Sequence, residues 1–446
     1  MTQSWNRRTW RLAWPIMMSN VSVPLLGAVD MAVVGRLPGP EYLGAVAVGA
    51  LIFNIVYHGF VFLRMGTTGL TAQALGAERP GEVRAWLGRA GLLAGTLGLI
   101  VIVLQVPIIW AGMQLIGPAP TVAALAEDYV AIRIWGAPAA LFNFALLGWF
   151  YGIQNTRAAL VTQLFMNGLN IVLDIWFVSG LGWGVAGVAW ATLISEVSAV
   201  FVGLLLVRAN LKRIGGQWAR NRVLDGERIR RMVRVNGDIF IRSIFLQISF
   251  AAITALGARM GDVTLAANAI LFNLLIFTSY VLDGYSHAAE ALVGEAVGSK
   301  DPHSFRQAVR AAGLGAFWGG TAFTAVYFAA GPAFIDLMTT VEAVRSETRT
   351  YLIWAAVMPL VSVWSFLFDG VFIGSTWTRE MRNGMIEASL IYAAALAVLI
   401  PLMGNHGLWL AVTLFMAARA LTLGLRYPHL VRTVGAAPPA AGGAPH

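Results

Sequence analysis

The sequence GAERPGEVR at residues 76–84 is partly repeated 222 residues later, as GSKDPHSFR at residues 298–306. In both copies the glycine, the proline and the final arginine occupy the same places. The same offset aligns further pairs: Gly35 with Gly257, Gly39 with Gly261, Gly148 with Gly370, Gly152 with Gly374, Thr156 with Thr378, and Arg157 with Arg379. One constant offset over so much of the chain predicts two related halves.

Long apolar stretches fill both halves. They lie at residues 11–34, 43–74, 88–110, 126–150, 158–179, 184–207, 236–258, 265–295, 308–330, 348–374, 384–403 and 407–426. Each can form a helix of the roughly 20 residues that cross a hydrocarbon core of about 30 Å. The stretches do not alternate as barrel strands do, and backbone groups in lipid need internal hydrogen bonds. The sequence therefore predicts an all-α polytopic membrane protein, with twelve transmembrane helices in two pseudo-symmetric six-helix bundles.

The composition supports a lipid environment. Only 12% of the 446 residues are charged, whereas about 25% are charged in ordinary soluble domains. The net charge of +9 does not indicate nucleic-acid binding, because 23 of the 31 Lys and Arg residues lie at one predicted face of the membrane, at alternate ends of the apolar stretches, and only four lie at the other face. That distribution follows the positive-inside rule. We therefore expect no nucleic-acid partner, and a multi-pass protein of the cell (inner) membrane with both termini in the cytoplasm.

The repeat predicts four regions along the chain. These are an N-lobe (1–207), a basic cytoplasmic linker (208–235), a C-lobe (236–430) and a disordered tail (431–446). Because each half has an even number of helices, the halves have the same orientation, and such parallel repeats are typical of transporters that work by alternating access. The basic start of the chain resembles a signal peptide, but its long apolar run and lack of a cleavage site favour a first helix.

Ionisable residues inside apolar stretches cost free energy and therefore suggest function. Asp30 lies on helix 1 after Pro15 and Pro24, and proline weakens a helix at its own position. The offset of 222 residues places Ala252 opposite Asp30, so helix packing common to both halves does not require this acid. A titratable group on a weakened helix is a candidate switch. The alternative is an aspartate that the membrane interface simply hydrates.

A second polar group lies on helices 5 and 6. Asn170 and Asp174 are four residues apart, so they share one face of helix 5, together with Asn167. Thr192 on helix 6 adds a hydroxyl close to a run of small residues that permits close helix approach. With Asp30 these oxygens would form a site for a proton or for Na⁺, because two carboxylates in a water-poor pocket do not readily both ionise. The alternative for the two asparagines is hydrogen bonding between helices alone.

The second half has acidic residues of its own. Asp283, Glu290 and Asp369 lie within apolar stretches, and the offset places no acid opposite Glu290 or Asp369. They are candidates for the wall of a substrate cavity. Three interpretations remain open for Asp283 and Asp369: a second ion site, a contact for a cationic substrate, or a structural pair near a helix end.

These features together resemble the multidrug and toxic compound extrusion (MATE) transporters. The segments LDGYSHAAE (282–290) and DGVFIGST (369–376) are similar to the DinF-like branch of that family. The resemblance implies export of small cationic or amphipathic compounds by proton-coupled antiport, with Na⁺ as the less favoured coupling ion. It also implies coupling at Asp30, Asn170, Asp174 and Thr192, a bend of helix 1 at Pro15, and a cavity contact at Asn143. Leu26 departs from the family, where a tyrosine can stand near the helix-1 aspartate.

Two other functions compete with this interpretation. A flippase for a lipid-linked precursor would need a cationic cavity, and Arg64, Arg133, Arg242 and Arg419 are the available intramembrane arginines. An intramembrane enzyme would need a catalytic constellation, which the sequence does not reveal. We expect a monomeric transporter that is not an enzyme and needs no cofactor besides the coupling ion.

Overall fold

The computed structural model describes residues 4–435, and these residues form helices joined by short turns, with no strand among them. Twelve helical segments are long and apolar enough to cross a membrane. Each coincides with one of the twelve predicted apolar stretches, which confirms the predicted fold class.

The individual helices are as follows. The first half contains α1 (Trp5–Val34), α2 (Pro40–His58), α3 (Phe62–Gly76), α4 (Pro80–Val103), α5 (Gln105–Ile116), α6 (Pro120–Arg133), α7 (Ala137–Gly152), α8 (Thr156–Asp174) and α9 (Gly184–Ile214). The second half contains α10 (Arg220–Val223), α11 (Gly226–Ala258), α12 (Asp262–Gly298), α13 (Pro302–Met338), α14 (Glu342–Gly374), α15 (Thr378–Met403) and α16 (Asn405–Thr433). One span joins α2 to α3, and another joins α6 to α7 through a short 3₁₀ turn.

The repeat appears in the backbone conformation. Glu78 and Lys300 have φ angles of 53° and 55°, and Gln154 and Thr376 have φ angles of 60° and 57°. Each pair is separated by the same 222 positions that align the two halves. In the described part of the chain no other residue except glycine has a positive φ angle. Because this conformation is uncommon for residues with a Cβ atom, its recurrence shows that the two halves share their turns.

Close helix approaches recur with the same spacing. A Cβ atom built on Gly148 would lie 2.3 Å from the carbonyl oxygen of Arg64, and one built on Gly370 would lie 2.2 Å from that of Ser286. Both the glycines and their partners are 222 positions apart. No side chain fits at such distances, so glycine at these positions lets two helices meet backbone to backbone.

The chain forms two compact units. The N-unit consists of Met18–Thr71 and Arg79–Asn236, and the C-unit of Met1–Met17, Ala72–Glu78 and Gly237–His446. Helix α1 contributes to both units, with the division between Met17 and Met18. Each unit has an apolar core that includes buried aromatic side chains, such as Phe53, Tyr57 and Tyr129 in the N-unit and Tyr327, Trp409 and Phe415 in the C-unit.

The structure adds detail to the linker and the tail. Helix α9 continues to Ile214 and α11 begins at Gly226, so most of the predicted linker 208–235 is helical. Arg84 fixes its first part to α4 by donating hydrogen bonds to the carbonyl oxygens of Gly215 (2.7 Å) and Leu211 (2.8 Å). The prediction of a disordered tail from residue 431 was wrong at its start, because α16 extends to Thr433. Residues 436–446 lie outside the described residues.

Candidate functional site

A cavity of about 530 Å³ lies within the N-unit. Residues of α1, α2, α6, α7, α8 and α9 line it. Its volume falls in the range of roughly 300–1,000 Å³ in which small organic ligands bind. Most of the wall is apolar or aromatic, and four of the residues predicted from the sequence provide polar groups: Asp30, Asn143, Asn170 and Thr192.

The carboxyl groups of Asp30 and Asp174 lie within hydrogen-bonding reach of each other. Asp174 is fully buried beside the cavity, and Asp30 lines it. Oδ1 of Asp30 and both carboxylate oxygens of Asp174 are buried and accept no hydrogen bond from any described donor. Two carboxylates cannot hydrogen-bond unless one carries a proton, and unpaired buried charges are costly. The arrangement therefore suits an added proton or cation.

The backbone changes its winding directly after Asp174. Helix α8 ends there, and residues Ile175–Gly180 form a π-helical turn. Such wide turns occur preferentially at functional sites. A Cβ atom on Gly187 would lie only 3.2 Å from Phe177 in this turn, so the small residue allows α9 to pack closely behind Asp174.

A chain of side-chain hydrogen bonds joins α8 to α1. Gln163 donates to Oδ1 of Asn167 (3.0 Å), and Asn167 donates to the hydroxyl of Ser22 (2.9 Å). The Ser22 hydroxyl in turn donates to the carbonyl oxygen of Ser19 (2.7 Å). Ser22 and Asp30 are eight residues apart and lie on one face of α1. The two helices thus meet at two polar points, this chain and the aspartate pair.

Asn170 and Thr192 join α8 to α9 beside the aspartates. The Asn170 amide donates to the Thr192 hydroxyl over 3.4 Å, and that hydroxyl donates to the carbonyl oxygen of Val188 (3.0 Å). The other amide atom, Oδ1 of Asn170, is buried without a partner among the described residues. Asn170 therefore offers one free acceptor close to the two carboxylates.

Helix α1 is continuous through Pro15 and Pro24. A proline provides no backbone N–H, so each of these residues leaves the carbonyl group four positions earlier without its helical partner. Pro15 is buried, and a Cβ atom on Gly284 of α12 would lie 3.0 Å from the Ala13 carbonyl oxygen, so this part of α1 packs tightly within the C-unit. The bend at Pro15 stays a prediction.

Asn143 lines the cavity together with Arg133 and Glu196, which are not among the predicted coupling and cavity residues. Its amide donates to the carbonyl oxygen of Glu196 (2.9 Å). The Glu196 carboxylate lies 3.8 Å from the guanidinium of Arg133, and both side chains line the cavity. An arginine inside a membrane span is itself a functional signal, but the sequence alone indicates Arg133 only as a candidate for a flippase.

The three acidic residues of the second half lie in the C-unit, and none lines the cavity of the N-unit. Asp369 forms ion pairs with Arg242 and, at 2.6 Å, with Arg419. Asp283 is close enough to Arg419 to interact with it electrostatically. Glu290 is fully buried, and its carboxylate lies 2.9 Å from Nδ1 of His287. These contacts place all three acids beside basic side chains of their own unit.

The predicted Na⁺ ligands are only partly assembled. Within residues 4–435 no three His, Asp or Glu side chains are placed to hold a metal ion together. The set Asp30, Asn170, Asp174 and Thr192 offers two carboxylates, one amide oxygen and a hydroxyl that already donates to the backbone. Na⁺ at this set stays a prediction.

This architecture is typical of membrane transporters: two sequence-related halves, twelve segments long and apolar enough to span a membrane, and acidic side chains around a ligand-sized cavity. The sequence profile of the MatE family matches residues 15–176 and 239–399, one match in each half, and the chain belongs to that family.

Known proteins agree with this assignment. The chain is 43% identical over 422 residues to DNA damage-inducible protein F of Escherichia coli (strain K12), with 94% of this chain and 91% of the relative covered. It is 26% identical to the probable multidrug resistance protein NorM of Xanthomonas campestris pv. campestris, with 97% and 96% covered. The outward-facing structure of a multidrug resistance MATE family transporter of the MOP superfamily matches with a TM-score of 0.86, 21% identity and 97% of both chains covered.

The comparisons confirm the resemblance to MATE transporters and to their DinF-like branch. They also confirm that the protein is a multi-pass membrane transporter and not an enzyme, because the members of the family are transporters.

Proposed function

We propose that the protein exports small amphipathic cations in exchange for protons, and that Asp30 and Asp174 are the coupling pair. The observation that supports the proposal best is the aspartate pair beside a cavity of about 530 Å³: Asp174 is buried, Asp30 is partly buried, and both oxygens of Asp174 and Oδ1 of Asp30 have no described donor. A proton shared by the two carboxylates reduces their combined negative charge. When the proton leaves, a bound organic cation compensates the negative charge instead.

The proposal gives α1 a mechanical role. Loss or gain of the proton changes the attraction between α1 and α8 at Asp30, while the Ser22–Asn167 bond holds the same two helices two turns away. Pro15 and Pro24 each remove a backbone hydrogen bond from α1. A change of charge at Asp30 can therefore change the direction of this helix at a modest cost in free energy. In this proposal the protein is a monomer of the inner membrane with both termini in the cytoplasm, and Na⁺ is the alternative coupling ion.

The flippase alternative receives no support from the position of the four intramembrane arginines. Arg64 and Arg133 lie in the N-unit, and Arg242 and Arg419 lie in the C-unit, where both contact Asp369. Neither unit therefore contains three of them. The flippase alternative expects three in one cavity between the lobes, and it stays a prediction.

The test is efflux of a cationic dye from proteoliposomes, with a pH gradient and a Na⁺ gradient imposed in separate experiments. We expect the pH gradient alone to drive efflux by the wild type, and Asp30→Asn and Asp174→Asn each to abolish the gradient-driven part. Glu387→Gln is the matched control, because this acidic side chain is about half exposed on α15 and pairs with Arg426. Full pH-driven efflux by Asp30→Asn would refute the coupling role, and efflux driven only by Na⁺ would refute the choice of ion.

A further inference from the structure

Arg133 is the only lysine or arginine among the residues that line the cavity of the N-unit. Its side chain is 17% exposed and lies in a membrane-spanning segment. A cationic side chain within a membrane-spanning segment costs several kcal/mol unless its surroundings compensate the charge. In a cavity proposed to receive organic cations, a resident cation also opposes the cargo. Its presence therefore needs an explanation.

The guanidinium group has partners on one wall of the cavity. Nη1 donates a hydrogen bond to the Tyr129 hydroxyl (3.0 Å), and the group lies 4.5 Å from the ring centre of Phe53, within the range of a cation–π contact. Its ion pair with Glu196 is loose, at 3.8 Å, and Nε is buried with no described acceptor. Oε2 of Glu196 is likewise buried without a described donor. Arg133 is thus held in place, but its Nε donor still has no acceptor among the described residues.

Three carboxyl groups lie within electrostatic reach of Arg133. Glu196 is its ion-pair partner, and both Asp30 and Asp174 are close enough for their charges to be affected by it. Arg133 alone cannot neutralise all three. When the cavity is empty and the aspartate pair has lost its proton, attraction draws the guanidinium towards that pair. When an organic cation is bound at the aspartate pair, it repels the guanidinium, which then stays near Glu196, Tyr129 and Phe53.

We infer that Arg133 is the resident counter-cation of the cavity, and that a monovalent organic cation with an apolar body replaces it at the Asp30–Asp174 pair. Glu196 and the two aromatic rings hold Arg133 while the cargo is bound. The inference rests on the proposed function, since it assumes that cargo binds at the aspartate pair. Arg133 then limits cargo affinity and favours release, which makes it a residue that determines specificity and affinity.

We expect opposite effects on cation binding when Arg133 and its ion-pair partner Glu196 are substituted in turn. Arg133→Met keeps the length of the side chain but removes the competing charge, so cation binding should tighten by about tenfold, equivalent to about 1.4 kcal/mol. Glu196→Gln removes the group that holds Arg133 away from the aspartates, so cation binding should weaken by about threefold or more. Arg133→Lys keeps the competing charge, so it should not tighten cation binding as Arg133→Met does. In the double variant Arg133→Met, Glu196→Gln, the effect of Glu196→Gln should largely disappear.

The experiment measures equilibrium binding of radiolabelled tetraphenylphosphonium to purified protein in detergent, at one fixed pH and without any ion gradient. Tetraphenylborate is the control ligand, because it has the same shape and the opposite charge. Arg133→Met should bind the phosphonium more tightly and should not gain affinity for the borate. Thr96→Ala, an exposed position on α4 whose hydroxyl bonds only to its own helix, is the control variant.

Several outcomes would overturn the inference. They are weaker or unchanged phosphonium binding by Arg133→Met, tighter binding by Glu196→Gln, or no binding by the wild type and Arg133→Met alike. Borate binding that depends on Arg133 would show an anion site instead. If Arg133→Met does not fold, the contrast between Glu196→Gln and Arg133→Lys still decides the sign. Because no gradient is present, these results are independent of whether protons drive transport.

Discussion

Asn167 on α8 donates a hydrogen bond of 2.9 Å to the hydroxyl of Ser22 on α1. The contact joins two helices across 145 positions of the chain, and its acceptor is itself tied to the backbone of α1. Together with the aspartate pair it fixes how α1 lies against α8. We therefore expect coupling to depend on this bond as well as on the carboxyl groups.

The first prediction concerns this bond. Ser22→Ala removes the acceptor and leaves the Asn167 amide unpaired, at a cost of about 1–3 kcal/mol for a buried donor. We expect slower pH-driven dye efflux in proteoliposomes, with the amount of folded protein little changed. Thr96→Ala, which removes an exposed hydroxyl from α4, should transport at the wild-type rate. Unchanged efflux by Ser22→Ala would show that the contact has no part in coupling.

A second prediction uses the close backbone contact in the C-unit. A Cβ atom on Gly76 would lie 2.0 Å from the carbonyl oxygen of Glu295, and one on Gly298 would lie 2.1 Å from that of Gln73. Gly76→Ala or Gly298→Ala should therefore force the helices apart and lower the melting temperature in detergent markedly. Gly95→Ala on α4, where an added Cβ atom would meet no described atom within 4 Å beyond its own turn of helix, should raise it slightly, because alanine favours a helix by about 1 kcal/mol over glycine. Equal melting temperatures for Gly76→Ala and Gly95→Ala would contradict the predicted contact.

The third prediction distinguishes the interpretations of Asp369. Its carboxylate is 9% exposed and shared by Arg242 and Arg419. Asp369→Asn would leave two buried guanidinium groups without it, and breaking such pairs costs about 3–5 kcal/mol. We expect a large fall in melting temperature, and a smaller one for Arg242→Met, which leaves the pair with Arg419. If Asp369→Asn were stable but inactive in transport, Asp369 would instead be a carboxylate for an ion or cargo.

The fourth prediction concerns the turn that begins α13. Oδ1 of Asp301 accepts hydrogen bonds from the backbone N–H groups of His303 (2.9 Å) and Ser304 (3.1 Å), so Asp301 caps the helix. Asp301→Ala should cost about 1 kcal/mol of stability. At the equivalent position before α4, Arg79 provides no side-chain cap. Arg79→Ala should therefore have little effect on the melting temperature.

The same cap should depend on pH. Hydrogen bonds from Ser304, side chain and then backbone, hold the pKa of Asp301 below its ordinary value of 3.8. A lowered pKa means that the ionised form stabilises the folded state. The stabilisation is therefore present above the ordinary pKa and is lost as the pH falls through the lowered one. Solvent weakens it at this exposed position, so only a small acid-dependent difference between the wild type and Asp301→Ala should appear.

Local patterns in the sequence predicted much of the fold and part of the site. The offset that aligns GAERPGEVR with GSKDPHSFR also relates the left-handed residues Glu78 and Lys300. The spacing of Asn170 and Asp174 predicted a shared helix face, and Asn170 lines the cavity while Asp174 lies beside it, next to Asp30.

Contacts between distant helices could not be predicted in this way. The Arg133–Glu196 pair depends on how α6 packs against α9, and no spacing within one helix encodes it. Likewise, the ion-pair partners of Asp369 are Arg242 on α11 and Arg419 on α16, which are 127 and 50 positions away in the sequence. A single sequence shows that these charges are expensive in a membrane, but it does not show which of them neutralise each other.

The most direct test of the central claim is the release of protons when cargo binds. Purified protein in weakly buffered detergent solution is titrated with tetraphenylphosphonium while a pH indicator records the released protons. If Asp30 and Asp174 exchange a shared proton for cargo, the wild type releases up to about one proton per bound cation, and Asp30→Asn and Asp174→Asn release almost none. Saturating binding with no proton release by the wild type, or undiminished release by Asp30→Asn, would contradict the account.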